Sequence, residues 1–164
     1  MKLLNQWRGA LILGLACLGT VASAAETGKP ASGSRSQVAK AGKKPALDLS
    51  GKARRGKASY YARKFHGRKM ADGTRMDANA NVAASKTLPL GTTAKVTNVE
   101  NGKSATVEIS DRGPYVDGRI VDVSPKVAEK LDMKEDGVAN VVVKPITVPQ
   151  PDGQVKPGAG SGPD

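Results

Sequence analysis

The chain has 164 residues, a formal net charge of +11 and 3% aromatic residues, with one Phe, one Trp and three Tyr. That length holds one domain with tails, and so few aromatics leave only a small aliphatic core. One cysteine and one histidine in the whole chain argue against a disulfide framework and against a metal centre, and no metal or cofactor is expected.

The N-terminus reads as a secretory signal. Lys2 and Arg8 are basic, residues 10–21 form an apolar run, and Ala22-Ser23-Ala24 fits a small-x-small cleavage site. Twelve apolar residues are too few to cross a bilayer. Residues 1–24 are therefore expected to direct export and be removed, leaving a periplasmic or envelope protein with no transmembrane span. Cys17 lies inside the run. Lipid attachment there needs a Leu-like residue three positions earlier, where Gly14 stands. Cleavage after Ala24 is the better reading and removes the cysteine.

Residues 25–55 are rich in Lys, Ala, Gly, Ser and Pro, and residues 25–57 carry nine basic side chains against two acidic ones. Such a segment cannot bury enough apolar surface to order itself, so a basic disordered linker is expected. It suits a polyanionic surface such as a cell envelope, and a merely solubilising linker is the competing reading. Residues 147–164, with Pro149, Pro151, Pro157, Gly158, Gly160 and Gly162, are expected to form a disordered tail.

The folded part is expected over residues 56–146, and its rhythm is mostly β. Strands are predicted over residues 57–61, 93–99, 104–110, 119–123 and 138–146. Asn101-Gly102 signals a two-residue hairpin turn with positive φ at both positions. One helix is predicted after Ser124, which caps it, with Pro125 in the first position, Val127, Ala128 and Leu131 at helical spacing, and Gly137 beyond its end. Short strands that must close without open edges predict a small barrel.

The most informative stretch is Asp111-Arg112-Gly113-Pro114-Tyr115, followed by Gly118-Arg119-Ile120-Val121-Asp122-Val123-Ser124. Ala105, Val107 and Ile109 alternate with polar neighbours, so period-two alternation carries Asp111 onto the apolar face and turns Arg112 the other way. An acid at the mouth of such a strand is a candidate general acid. The competing reading makes it a turn-former that caps the Gly113-Pro114 backbone. Arg112 and Arg119 either hold substrate or pair with Asp117 or Asp122. His66 either lines a cleft or bonds a loop. Tyr60 and Tyr61 alternate faces, one for the core and one left outside it with its ring and polar tip available. Asp122, within a short apolar strand, reads as a buried structural acid.

These residues, with Gly56-Lys57-Ala58-Ser59-Tyr60-Tyr61, Phe65-His66-Gly67, Ala71-Asp72-Gly73, Thr87-Leu88-Pro89-Leu90-Gly91-Thr92 and Val96-Thr97-Asn98, resemble the rare lipoprotein A family. The resemblance implies a six-stranded double-psi β-barrel with one short helix, flanked by disordered tails. It implies an endolytic lytic transglycosylase that acts on peptidoglycan glycan strands in the bacterial envelope, often at the division septum. In that reaction the C6 hydroxyl of N-acetylmuramic acid attacks its own C1 and leaves a 1,6-anhydro end. Asp111 matches the family's catalytic aspartate, acting first as acid and then as base. Tyr61, His66, Thr74, Arg112 and Arg119 are the expected substrate-binding residues. The family's second acid falls at Thr74, which cannot transfer a proton near neutral pH, and its common histidine falls at Ser85.

Two other functions compete. One is a non-catalytic peptidoglycan-binding protein of the envelope or division site on the same fold. The other is a nucleic-acid binder, disfavoured because residues 58–146 are nearly balanced, with 14 basic and 11 acidic side chains, and carry few aromatics for base stacking.

Overall fold

The computed structural model describes residues 45–162. The expected signal sequence, Cys17 and most of the basic linker lie outside the described residues. The elements in order are β1 (Arg54–Tyr60), a 3-10 turn (Arg63–Phe65), β2 (Val82–Ala84), β3 (Thr93–Asn98), β4 (Ser104–Asp111), β5 (Arg119–Val123), α1 (Pro125–Lys130), β6 (Val138–Pro149) and β7 (Val155–Pro157).

Six strands close on themselves in the order β1-β5-β2-β4-β3-β6, and β6 returns to β1 from Arg54↔Val143 to Ser59↔Val138. The pairs β1–β5 and β2–β4 are parallel and the others antiparallel. Closure removes the open edges that short strands would otherwise present. The barrel expected from the sequence is thus the one observed. Its interior is aliphatic, built from small and branched side chains such as Ala58, Ala83, Val96, Val107, Ile109, Val121, Val123 and Val141. Six strands leave a narrow lumen, which these volumes fill. Val127, Ala128, Leu131 and Met133 cover one end.

The helix forms as its residues predict. Ser124 Oγ accepts the Val127 N–H at 3.3 Å and Pro125 occupies the first turn. Beyond it the Leu131 carbonyl accepts Nδ2 of Asn98 at 3.0 Å and of Asn101 at 3.1 Å. No helix among the described residues is long and apolar enough to cross a membrane.

Four local expectations are corrected. Val82–Ala84 forms a strand that three residues without alternation do not announce. The β3–β4 loop is longer than a two-residue turn: the Asn98 N–H bonds the Lys103 carbonyl, and only Gly102 has positive φ. The chain is fixed before residue 56. The Asp48 N–H bonds the Thr87 carbonyl at 2.7 Å, its carboxylate holds Arg54 at 2.6 Å, and Arg54 Nη1 reaches Thr87 Oγ1 at 3.1 Å. Finally, the segment expected to be a disordered tail folds back, with β7 pairing β6 at Thr147↔Pro157 and Pro149↔Val155. The Gly158 and Gly160 N–H groups then bond Ile146 and Pro145, and the Ala159 N–H bonds the Gly51 carbonyl at 2.8 Å. Both ends of the domain are joined there.

Gly158 permits that closure, because a Cβ on it would stand 2.3 Å from the Pro145 carbonyl oxygen. The obstruction is backbone and cannot swing aside. Gly158→Ala is expected to cost about 1–3 kcal/mol, read as a lower urea midpoint; an unchanged midpoint would detach this segment from the cooperative fold.

Partial burial opposes ionisation of Asp48, but hydrogen bonds from Ser50 and the charge of Arg54 outweigh it and hold the carboxyl below its ordinary range. A group depressed in the fold contributes stability above its unfolded pKa of about 3.9, and that contribution disappears as pH falls through the folded value. Asp48→Asn is expected to lose about 0.5–1 kcal/mol at pH 7, and the gap to the parent should close below about pH 4. Denaturation at both pH values checks this, and a gap that persists in acid would assign the loss to something other than charge.

Candidate functional site

The site begins with an irregularity in β4. Against β2 the pairs run Val82↔Glu108, Ala83↔Ile109 and Ala84↔Asp111, so Ser110 is the extra residue of a bulge. One added residue reverses the face of everything after it. Ile109 and Ala83 stay in the core, while Asp111 turns with Ala84 to the outer face. The row continues through Ala84↔Asp122 and Asp122↔Ser59. Asp111, Ala84, Asp122 and Ser59 therefore line one outward-facing row across β4, β2, β5 and β1. The inward placement of Asp111 expected from strict alternation is corrected by this bulge.

Asp111 is half-buried. Its Oδ1 accepts the Ala71 N–H at 2.9 Å and the Arg112 N–H at 2.8 Å, and its Oδ2 accepts the Tyr61 hydroxyl at 3.0 Å. Among the described residues it has no ion-pair partner. It does not cap the Gly113-Pro114 backbone, a turn that contains a cis peptide bond.

Tyr60 and Tyr61 divide as alternation predicts. Tyr60 packs on the core. Tyr61 faces outward and meets Phe65 edge to face, with ring centroids 5.9 Å apart. Burial, then the neighbouring Asp111 carboxylate and Asp122, push the Tyr61 phenol well above its ordinary range. It stays protonated and remains a donor to Asp111.

The two arginines leave the carboxylate alone. Arg112 Nη1 donates to the carbonyls of Ser85 at 3.1 Å and Leu88 at 2.7 Å, pinning that loop instead of pairing with Asp117 or Asp122. Arg119 Nη1 donates to Ser59 Oγ at 2.7 Å, and the Ser59 hydroxyl donates a short hydrogen bond to Asp122 Oδ1. Arg119 thus reaches Asp122 through a serine that sequence reasoning did not single out.

The loop around Ala71 folds over Asp111. Besides the Ala71 contact, the Asp72 N–H bonds the Ser110 carbonyl at 3.1 Å. Thr74 donates its N–H at 2.8 Å and its hydroxyl at 2.7 Å to Asp72 Oδ1, so it serves Asp72 and makes no bond to Asp111. Slight burial of Asp72 is outweighed by hydrogen bonds from Thr74 and Ser110, which hold its carboxyl below the ordinary range. Ser85 is buried, and its Oγ accepts the Leu88 N–H at 3.2 Å. Asp77 turns away to bond the Asn79 N–H at 2.9 Å.

His66 lies in a neighbouring groove of about 780 Å³, lined by Tyr60, Tyr61, Arg63, His66, Lys126 and Lys134 among others. Its Nδ1 accepts the Ala78 N–H at 3.2 Å, which in the neutral ring leaves Nε2 as donor. Asp111 does not line this groove; Tyr61 borders both. Tyr115 stands in the motif but was given no role there. It is 79% exposed, and its ring lies 3.9 Å from where a Cβ on Gly113 would stand. Its direct succession to Pro114 was the available signal. No cluster of His, Cys, Asp or Glu among the described residues could hold a metal.

A family model described as lytic transglycolase matches residues 53–143, which covers every strand of the barrel except the end of β6. The chain is 48% identical over 96 residues to a protein of Vibrio cholerae serotype O1 named endolytic peptidoglycan transglycosylase RlpA, covering 58% of this chain and 36% of that one. It is likewise 48% identical over 91 residues to the protein of the same name from Neisseria meningitidis serogroup A, covering 56% and 38%. The chain therefore spans little more than a third of the length of these relatives. Among solved structures, the Streptomyces papain inhibitor is similar at a TM-score of 0.45 and 24% identity, over 60% of this chain and 96% of that one. The match along the barrel, with Asp111-Arg112-Gly113-Pro114 inside it, shows that this chain belongs to the lytic transglycolase family, the double-psi β-barrel group of rare lipoprotein A.

Proposed function

We propose that this barrel cleaves peptidoglycan glycan strands without water, acting between N-acetylmuramic acid and N-acetylglucosamine and leaving 1,6-anhydro ends. The observation that carries the proposal is Asp111: a half-buried carboxylate outside the core, free of any ion pair among the described residues, and clamped by three donors. Family membership and the names of the relatives supply the reaction class. Export to the periplasm, as the N-terminal residues suggest, would bring the enzyme to this substrate.

The three donors distinguish the two oxygens. Among the described residues, Oδ1 accepts two backbone N–H groups, whereas Oδ2 accepts only the Tyr61 hydroxyl. A carboxylate oxygen offers two lone pairs, so Oδ2 keeps one open toward a proton or the substrate. Protonated there, Asp111 gives its proton to the glycosidic oxygen as the bond to C1 breaks. Once ionised, it takes the proton of the C6 hydroxyl as that oxygen closes on C1. No atom of water enters the product. Tyr61 orients Oδ2 throughout. Asp72, held ionised by its hydrogen bonds from Thr74, is the acid on this loop two residues before the family's second acidic position. Tyr115 offers an exposed ring for a sugar to stack on, and Arg119 with Ser59 holds Asp122 in the row behind the site.

Digestion of purified glycan strands, followed by mass spectrometry of anhydro ends, tests the reading. Asp111→Asn is expected to lower the yield by about 10²–10⁴-fold, and an unchanged yield would reject Asp111 as the proton carrier. Tyr61→Phe removes a hydrogen bond to a charged group and should lower kcat by about 10- to 100-fold. Tyr115→Ala should act on binding instead, raising KM by a few-fold to tenfold with kcat nearly unchanged. A loss confined to kcat would remove Tyr115 from the sugar-binding surface.

A further inference from the structure

The groove beside the site has a charge that the reaction itself does not use. Arg63, Lys126 and Lys134 face a single acid, Glu129. Lys134 holds Glu129 in a short hydrogen bond, and the charge of Arg63 acts on the same carboxylate. One anion is thus shared between two cations. Lys126 is exposed on the first turn of α1 and has no acidic partner among the described residues. His66 offers Nε2 as a further donor on the same wall. The volume lies in the range of sites that enclose a small ligand.

Tyr61 connects this groove to the chemistry. Its hydroxyl bonds Asp111 Oδ2, and the same residue forms part of the groove wall. A muramyl residue placed with its glycosidic oxygen at Asp111 therefore has its ring substituents one side chain away from the cationic groove. The substituent that carries acid is the lactyl ether. It ends in its own carboxylate, or in a stem peptide that ends in carboxylates.

We propose that the groove is a carboxylate subsite that takes the acidic group borne by the lactyl side chain of the muramyl residue at the cleavage point, with Lys126 and Arg63 as the recognising cations. The inference rests on the peptidoglycan reading above. It deepens that reading by giving the muramyl ring a fixed side of Asp111. Charge recognition across such exposed groups is modest and falls with salt, so the groove selects and orients more than it anchors.

Binding separates this proposal from the cleavage reading. The full chain carrying Asp111→Asn is titrated by calorimetry with four soluble probes: peptide-free glycan strands with lactyl carboxylates free or converted to methylamides, and peptide-bearing strands with stem carboxylates free or amidated. Free-carboxylate strands are expected to bind about three- to tenfold more tightly than their amidated counterparts. The pair that shows the difference identifies which carboxylate is read. Adding Arg63→Gln and Lys126→Gln should abolish that difference while leaving the amidated strands unaffected. The proposal is overturned if amidation changes nothing in either pair, or if the double substitution weakens free and amidated strands equally or leaves the difference intact. Charge-selective binding without anhydro products from the parent enzyme would instead sink the cleavage reading and spare the subsite.

Discussion

The structure turns on the single extra residue in β4. A six-stranded barrel has room inside for alanine, valine and one isoleucine, and none for a carboxylate that must exchange protons with a polymer. Strict alternation from Ile109 would drive Asp111 into that interior, at the full cost of burying an acid without partners. Ser110 breaks the alternation. Ile109 keeps its place against Ala83, and Asp111 emerges two residues later on the outside, still attached to a rigid strand. The loop above depends on the same bulge, since the Asp72 N–H bonds the carbonyl of Ser110 itself and the Ala71 N–H bonds the displaced carboxylate. Fold and site are coupled through Ala71, Asp72, Ser110 and Asp111.

Much of this was legible in the sequence, and the exceptions share a cause. Residues 104–110 alternate cleanly and become β4, and the short apolar run 119–123 becomes β5; Ser124-Pro125 states where the helix starts. Val82–Ala84 went unseen because three small residues have no period to detect. The bulge was invisible for a different reason: it is a relation between strands, and Ser110 looks like any other polar position until Ala83 and Ala84 are set opposite it. The C-terminal segment misled by composition. Prolines and glycines usually mark a chain that cannot order itself. Here Pro157 sits on an edge strand that needs no donor, and Gly158 is required because the backbone of Pro145 passes too close for a side chain.

The residues that differ from the family's pattern are not loose ends in the structure. Ser85, where a histidine is common, is buried and folds the 85–88 loop onto itself by accepting the Leu88 N–H. That same loop is held from the other side by Arg112, whose guanidinium takes the carbonyls of Ser85 and Leu88. Arg112 therefore spends its charge on loop carbonyls and stays off the carboxylate next to it. An arginine folded back onto Asp111 would add a full positive charge to the three hydrogen bonds that already favour the ionised form, and would oppose proton donation further. Thr74 in turn uses both its donors on Asp72 and makes no bond to Asp111.

Tyr61 then links the two halves of the surface. On one side it supplies the only hydrogen bond to Asp111 Oδ2 among the described residues; on the other it borders the cationic groove. Because burial and two nearby carboxylates keep its phenol protonated, its hydroxyl has one stable direction in which to donate. Phe65, edge-on at 5.9 Å, restrains the ring from behind. On the proposed reading, a muramyl residue bound in the groove would touch the same side chain that orients Oδ2, so binding and placement of the acid share one residue.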